Sequence, residues 1–225
     1  WYGDHRDLHY PLRRQRQMCI RDSYRPYHLK HHRFTETDKD PDLALSAPFP
    51  ITRKSFFRKV VRDLSGLTGY RRYSQALLSI FKTKGDNALD KIKKIWLKIH
   101  GFLITNALIF GVVSIFLDWT LFFLLWWLPA FTYYSLIIRI RNIAEHCVTS
   151  GSTDFDNTRT TLTNPLVRFL MAPHRVNYHL EHHLFIMCPW YNLPKAHSMM
   201  IENGYKDKMC IAESYRSVLM KAVSA

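Results

Sequence analysis

Between Ile99 and Ile138 the chain carries a single charged side chain, Asp118, in forty consecutive residues. No ordinary core helix of a soluble protein is that long and that apolar. Divided at Asp118-Trp119, the block makes two segments of about twenty residues, each about 30 Å long as α-helix, which matches the hydrocarbon thickness of a bilayer. Pro129 lies inside the second segment and should kink it without forbidding it. A transmembrane helical hairpin is the expectation.

The flanking charges orient that hairpin. Lys82, Lys84, Lys91, Lys93, Lys94 and Lys98 precede it, Arg139 and Arg141 follow it, and the turn has neither Lys nor Arg. The positive-inside rule places both outer ends in the cytoplasm and the turn on the far side. Trp96, Trp119, Tyr133 and Tyr134 suit interfacial anchoring, whereas Trp126 and Trp127 lie too deep for it. Residues 51–81 mix basic and apolar positions and are broken by Gly66 and Gly69, so they read as two short amphipathic helices on an anionic bilayer surface. The net charge of +14 is thereby explained without nucleic acid, for which no recognisable module is present. The four cysteines show no CxxC spacing and read as reduced thiols.

Two nearly identical hexapeptides flank the hairpin, YHLKHH at 27–32 and YHLEHH at 178–183. Both then lie on the same membrane face, as a shared site requires. In a helix HxxHH points its imidazoles to one side, so His28, His31 and His32 should converge, as should His179, His182 and His183. Six clustered imidazoles exceed the three or four ligands of one zinc site and imply two metal ions. Imidazole donors suit iron as well as zinc, and arithmetic does not choose between them. His146, in NIAEH, lies eight residues beyond the expected membrane exit, within reach of the same centre. Glu145 and Glu181 are candidates to hold imidazole tautomers, with His174 and His197 as outlying partners. His100 should pack within the hairpin. Elsewhere, 33–50 and 150–161 read as loop, 164–171 as a short helix, and a last helix begins near Pro194.

HLKHHRFT (28–35), RNIAEHC (141–147) and NYHLEHHLF (177–185) resemble the second histidine box, intervening histidine and third box of the integral-membrane fatty acid desaturases, a superfamily that includes hydroxylases and carotenoid ketolases. The resemblance extends over about residues 24–200. It implies an all-α integral membrane protein: a transmembrane hairpin (99–138), a cytoplasmic C-terminal region (139–225), cytoplasmic histidine-box helices and amphipathic interfacial helices, within one domain spanning 24–225. It further implies two iron ions held by His28, His31, His32, His146, His179, His182 and His183. Dioxygen would be the co-substrate, a membrane lipid or acyl chain the substrate, and a cytochrome b5-like protein or ferredoxin the electron donor. The reaction implied is introduction of a double bond, with hydroxylation or ketolation on the same scaffold as the near alternative. A metal-dependent membrane hydrolase is a more distant reading, and a metal transporter is poorly served by spans with so few ionisable groups.

The family pattern breaks at the N-terminus. His5 and His9 have HxxxH spacing, but no apolar span precedes them. RRQRQMCIRDS (13–23) resembles a translated sequencing adapter. The expectation is that residues 1–23 are not native to the chain, and that a first box with its two spans belongs ahead of residue 24.

Overall fold

A computed structural model describes residues 25–35, 37–43, 48–149 and 153–224. His5, His9 and the segment 13–23 lie outside them. The described residues form two compact units, one made of those up to Arg53 together with those from Arg139 onward, the other of Lys54–Ile138.

The second unit holds the apolar block. After helices α2 (Arg53–Leu64) and α3 (Leu67–Phe81) comes α4 (Ala88–Phe116), started by Asn87, whose side chain accepts from the Asp90 amide at 2.8 Å. Helix α4 begins eleven residues before the uncharged block and so carries Lys91, Lys93, Lys94 and Lys98 on its first turns. Lysines are good helix formers and do not mark a boundary when their side chains reach solvent. Asp118 ends the turn by capping the next helix, its carboxylate accepting from the Thr120 amide at 2.8 Å. That helix, α5, runs Trp119–His146. It is π-helical over Phe123–Trp127, immediately before Pro129, and breaks at Thr132 (φ −103°, ψ −84°). A proline without an N–H and the adjoining wide turn account for the irregularity. These are two apolar helices joined as a hairpin, each long and apolar enough to cross a membrane.

Gly66, at φ 82°, separates α2 from α3 in a conformation that favours glycine. Gly69 does not break the chain as expected. It lies inside α3, and a Cβ there would sit 2.2 Å from the Phe131 carbonyl oxygen. The residue marks a close approach of two helices, which Tyr73 extends by packing on Trp127 and Phe131. Arg72 donates to the Ala130 carbonyl at 3.0 Å, just ahead of the α5 break. His100 bonds the Trp96 carbonyl of its own helix (2.9 Å). Asn106 instead meets Trp126 across the hairpin, accepting from the indole N–H at 3.1 Å.

The first unit carries both HxxHH boxes and His146. Helix α1 (Arg25–Phe34) holds the YHLKHH box and α7 (His179–Leu184) the YHLEHH box, with α6 (Pro165–Met171), α8 (Leu193–Glu202) and α9 (Tyr215–Ala222) around them. The only departure from an all-α fold among the described residues is a two-residue parallel pair, β1 (Thr160–Thr161) on β2 (Ile211–Ala212). This short pair does positional work. Thr160 also bridges Tyr178, and Asn177 and Thr161 exchange two hydrogen bonds (2.9 and 3.1 Å), which fixes the chain just before His179. Arg159 performs the same service for α5. Its guanidinium donates to the carbonyls of Ala144, Cys147 and Val148 (2.8–3.2 Å), at the helix end that bears His146 and has run out of intrahelical donors. Leu180, Met200 and Met209 form the core beneath α7.

Candidate metal centre

The seven expected histidines fall into two groups, and the division crosses the boxes. His28, His32 and His182 make one group; His31, His146, His179 and His183 make the other, each with one ring nitrogen per residue within 4.8 Å of the rest. Each box was expected to converge on a single point. Helical geometry explains why it does not. Residues i and i+4 lie about 40° apart around the axis, while i+3 lies about 60° to the other side. So His28 and His32 share one face and His31 turns away, as His179 and His183 share one face and His182 turns away. Each helix gives a pair to one group and a single ring to the other. The groups adjoin, with the His32 and His183 rings stacked at a centroid distance of 4.0 Å.

The three-residue group is a triangle of Nε2 atoms: His28–His32 3.0 Å, His32–His182 3.1 Å, His28–His182 3.2 Å. A ring nitrogen carries either a proton or a lone pair, never both, so three mutually adjacent nitrogens cannot all be satisfied by hydrogen bonds among themselves. A cation at their centre satisfies all three. Nitrogens about 2.1 Å from one ion and 90–100° apart lie about 3.0–3.2 Å from each other. In the second group His146–His179 and His179–His183 are 2.9 and 3.1 Å apart at Nε2. The residues present therefore fit two metal ions.

The protonation states agree with that fit. Burial first, then the charge of His31, pushes His28 down to about 4; burial, then the charges of His28 and His31, pushes His182 down to about 3. Burial and the neighbouring imidazoles push His32 down to about 2 and hold His179 and His183 well below the ordinary histidine range. These rings are neutral at physiological pH and their lone pairs are available. His31 differs. Burial opposes its charge, but its Nδ1–H donates to Asp40 at 2.8 Å, and the charges of Asp40, Asp42 and Glu145 raise its pKa above the usual value. That bond commits Nδ1 to Asp40 and leaves Nε2 for an ion.

Asp40 is the residue the sequence did not reveal. It lies in DKDPD, a polar stretch that reads as plain loop, yet the loop folds back on α1. Its turns are closed by Thr37 N–H to Phe34 and Asp40 N–H to Thr37, and by Tyr27, whose hydroxyl donates to Asp42 at 2.6 Å. Thr35 adds a hydroxyl 3.4 Å from His183 Nδ1. The expected carboxylates act farther out. Glu145 accepts twice from Arg141, at 2.9 and 3.1 Å. Glu181, fully buried, accepts from His197 Nδ1 at 2.5 Å and from the Thr160 hydroxyl, tying α7 to α8 and β1. His174 turns elsewhere, its ring against Trp190. An apolar cavity of about 880 Å³ opens at Leu184, next to His183, lined by Phe185, Ile186, Met187 and Met199.

A protein with adjoining histidine clusters able to hold metal ions, and with membrane-length apolar helices, is the class that this fold and site define. Residues 21–213 match the family model described as Fatty acid desaturase, and the chain belongs to that family. No curated protein and no solved structure matches it significantly.

Proposed function

We propose that this chain oxidises the acyl chain of a membrane lipid with dioxygen, introducing a double bond at a centre of two irons held by His28, His32 and His182 and by His31, His146, His179 and His183. The observation that carries the proposal is the exchange of rings between the two boxes, which yields two adjoining nitrogen cages. The balanced reaction removes two hydrogens from a –CH2–CH2– unit, takes two electrons from a donor and two protons from solvent, and reduces one O2 to two waters. Two irons held by these residues would activate dioxygen for attack on an unactivated C–H bond, chemistry that acid–base groups lack.

The chain's own residues supply the rest. Neutral imidazoles present lone pairs and resist oxidation better than thiolates, and no cysteine lies in either group. Asp40 orients His31, and the Arg159 fan of hydrogen bonds fixes the helix end that carries His146. Phe185, Ile186 and Met187 offer an acyl chain a dry wall beside His183. The hairpin is read as membrane-embedded with the histidines on the cytoplasmic side, where a cytochrome b5-like protein or ferredoxin would deliver electrons.

The test is metal analysis and turnover of the purified protein in lipid vesicles with a reductant. Two irons per chain and oxygen-dependent loss of two hydrogens from an acyl chain are expected. A hydroxylated product would move the reading to a hydroxylase of the same scaffold. One zinc, no iron and turnover without oxygen would replace it with a metal-dependent hydrolase.

A further inference from the structure

A second cavity, of about 480 Å³, lies apart from the histidine cages, lined among others by Arg168, Phe169, His174, Arg175 and Trp190. Its volume is within the usual range for a small-ligand site, roughly 300–1,000 Å³. Both arginines are half-buried. Among the described residues neither guanidinium has a hydrogen-bond, ion-pair or ring partner, in contrast to Arg72, Arg141 and Arg159. Half-buried guanidinium groups without a carboxylate are ready-made for an oxyanion, which they can grip with two parallel N–H donors.

The backbone under the cavity is strained. His174 and Arg175 both have positive φ, 55° and 56°, a conformation costly for residues with a Cβ and concentrated at functional sites. It turns both side chains toward the same cavity, where the His174 ring packs edge-on to Trp190 at 5.2 Å. The helix beside the cavity carries exposed apolar side chains. Leu166, Phe169 and Leu170 of α6 are all exposed, and Phe169 also lines the cavity. Paired cations beside an uncovered apolar helix face match a ligand with a charged head and a hydrocarbon tail.

We propose that this cavity binds the phosphate-bearing head group of an anionic lipid, with Arg168 and Arg175 on the phosphate and the tail leaving past Phe169. The site rests on the membrane reading above but not on the chemistry at the metals, so it stands or falls separately from desaturation. The Tyr178 amide bonds the Arg175 carbonyl at 3.1 Å, one residue before His179, so an occupied head-group site anchors the lipid at the root of the metal-bearing helix.

The experiment is titration of the full chain in neutral detergent, followed by native mass spectrometry. The probes are dioctanoyl phosphatidylglycerol, dioctanoyl phosphatidylcholine and inorganic phosphate. Phosphatidylglycerol should bind at least tenfold more tightly than phosphatidylcholine, and R168Q/R175Q should abolish that preference while leaving metal content intact. R168K/R175K, which keeps charge but loses the fork, should retain part of it. If the Gln variant does not fold, the salt response of the unaltered protein decides. Going from about 50 to about 500 mM salt should weaken phosphatidylglycerol binding and spare phosphatidylcholine, because screening acts on charge. Equal binding of the two lipids, or an unchanged preference in R168Q/R175Q, overturns the site. Inorganic phosphate binding as tightly as the lipid keeps the oxyanion chemistry and overturns the lipid assignment.

Discussion

The histidine-bearing unit buries a set of polar side chains, whereas the hairpin unit exposes a set of apolar ones. In the first, His31, Asp40, Glu181, Thr160 and Arg159 are buried, with His31 bonded to Asp40, Thr160 to Glu181 and Arg159 to three backbone carbonyls. In the second, Ile115, Phe116 and Leu117 are exposed, Phe116 at 76%, and no residue of α4 is buried. Both arrangements are costly in water alone. Buried polar groups are tolerable when each has a partner, and here the network is arranged around ligands. Exposed apolar helices are tolerable when lipid surrounds them. The contrast gives the two units different surroundings, a polar interior with histidine clusters suited to metal ions and apolar helices suited to a membrane.

The largest test of the polar side is ligand loss. His182→Ala removes one of the three nitrogens of the smaller group and should lower its metal affinity by more than about 100-fold, beyond the effect of removing an orienting partner. Iron should fall from two per chain to one, with activity lost. Retention of two irons would show that His182 is not a ligand and would dissolve the distinction between the two groups.

Next comes pH, and the sign follows from the depressed histidines. His28, His32 and His182 take up protons in the folded apo protein only near pH 4, 2 and 3, whereas in the unfolded chain they do so near 6.5. Between about pH 6.5 and 4 the unfolded state binds more protons, so stability falls as pH falls through that window. His31, with its raised pKa, works the other way and is outnumbered. Thermal unfolding of chelator-treated protein should show the slope, and a His28→Gln/His32→Gln/His182→Gln variant should flatten it. A slope unchanged in that variant would mean the rings are not buried neutral.

Packing separates the units directly. Leu180 is 0% exposed beneath α7 and Leu108 is 64% exposed on α4. Leu180→Ala should cost about 2–5 kcal/mol, while Leu108→Ala should stay within about 0.5 kcal/mol. Equal costs, read from unfolding in detergent, would break the comparison by showing a hidden protein partner on the hairpin.

How much of this was legible depends on how local each feature is. The hairpin was, because forty nearly uncharged residues need no partner to be recognised. Both boxes and His146 were, because HxxHH is a pattern within one turn of helix. The exchange of His31 and His182 between groups was not, since it depends on how α1 faces α7. Asp40 was hidden for a similar reason: nothing in DKDPD says that its loop returns to His31. Gly69 carried a signal that was read wrongly, as a helix break, when its missing Cβ serves an approach to Phe131, far along the chain.

Asp40 supplies a smaller test on the polar side. Asp40→Asn keeps the shape but replaces a charged acceptor, and loss of such an orienting partner costs about 10–100-fold in metal affinity. The four-histidine group should weaken while the three-histidine group is spared, which competition with a graded series of chelators would resolve. Equal weakening of both would mean that Asp40 supports the fold of α1 as a whole rather than His31.

The smallest effect is expected inside the hairpin, where the one polar link between α4 and α5 described above joins Trp126 Nε1 to Asn106 Oδ1. A hydrogen bond in hydrocarbon looks as though it should be strong, because nothing else there can satisfy the donor. The unfolded reference in a membrane also finds partners, however, and measured values for such links average about 0.6 kcal/mol. Asn106 additionally donates to the Phe102 carbonyl of its own helix at 2.8 Å, so its amide is partly satisfied without Trp126. A double-mutant cycle of Asn106→Leu with Trp126→Phe, read by unfolding in lipid nanodiscs, should therefore give a coupling below about 1 kcal/mol. A coupling above about 2 kcal/mol would mean that the hairpin is held by polar specificity as the histidine unit is, and the two regions would differ in solvent but not in the way they are built.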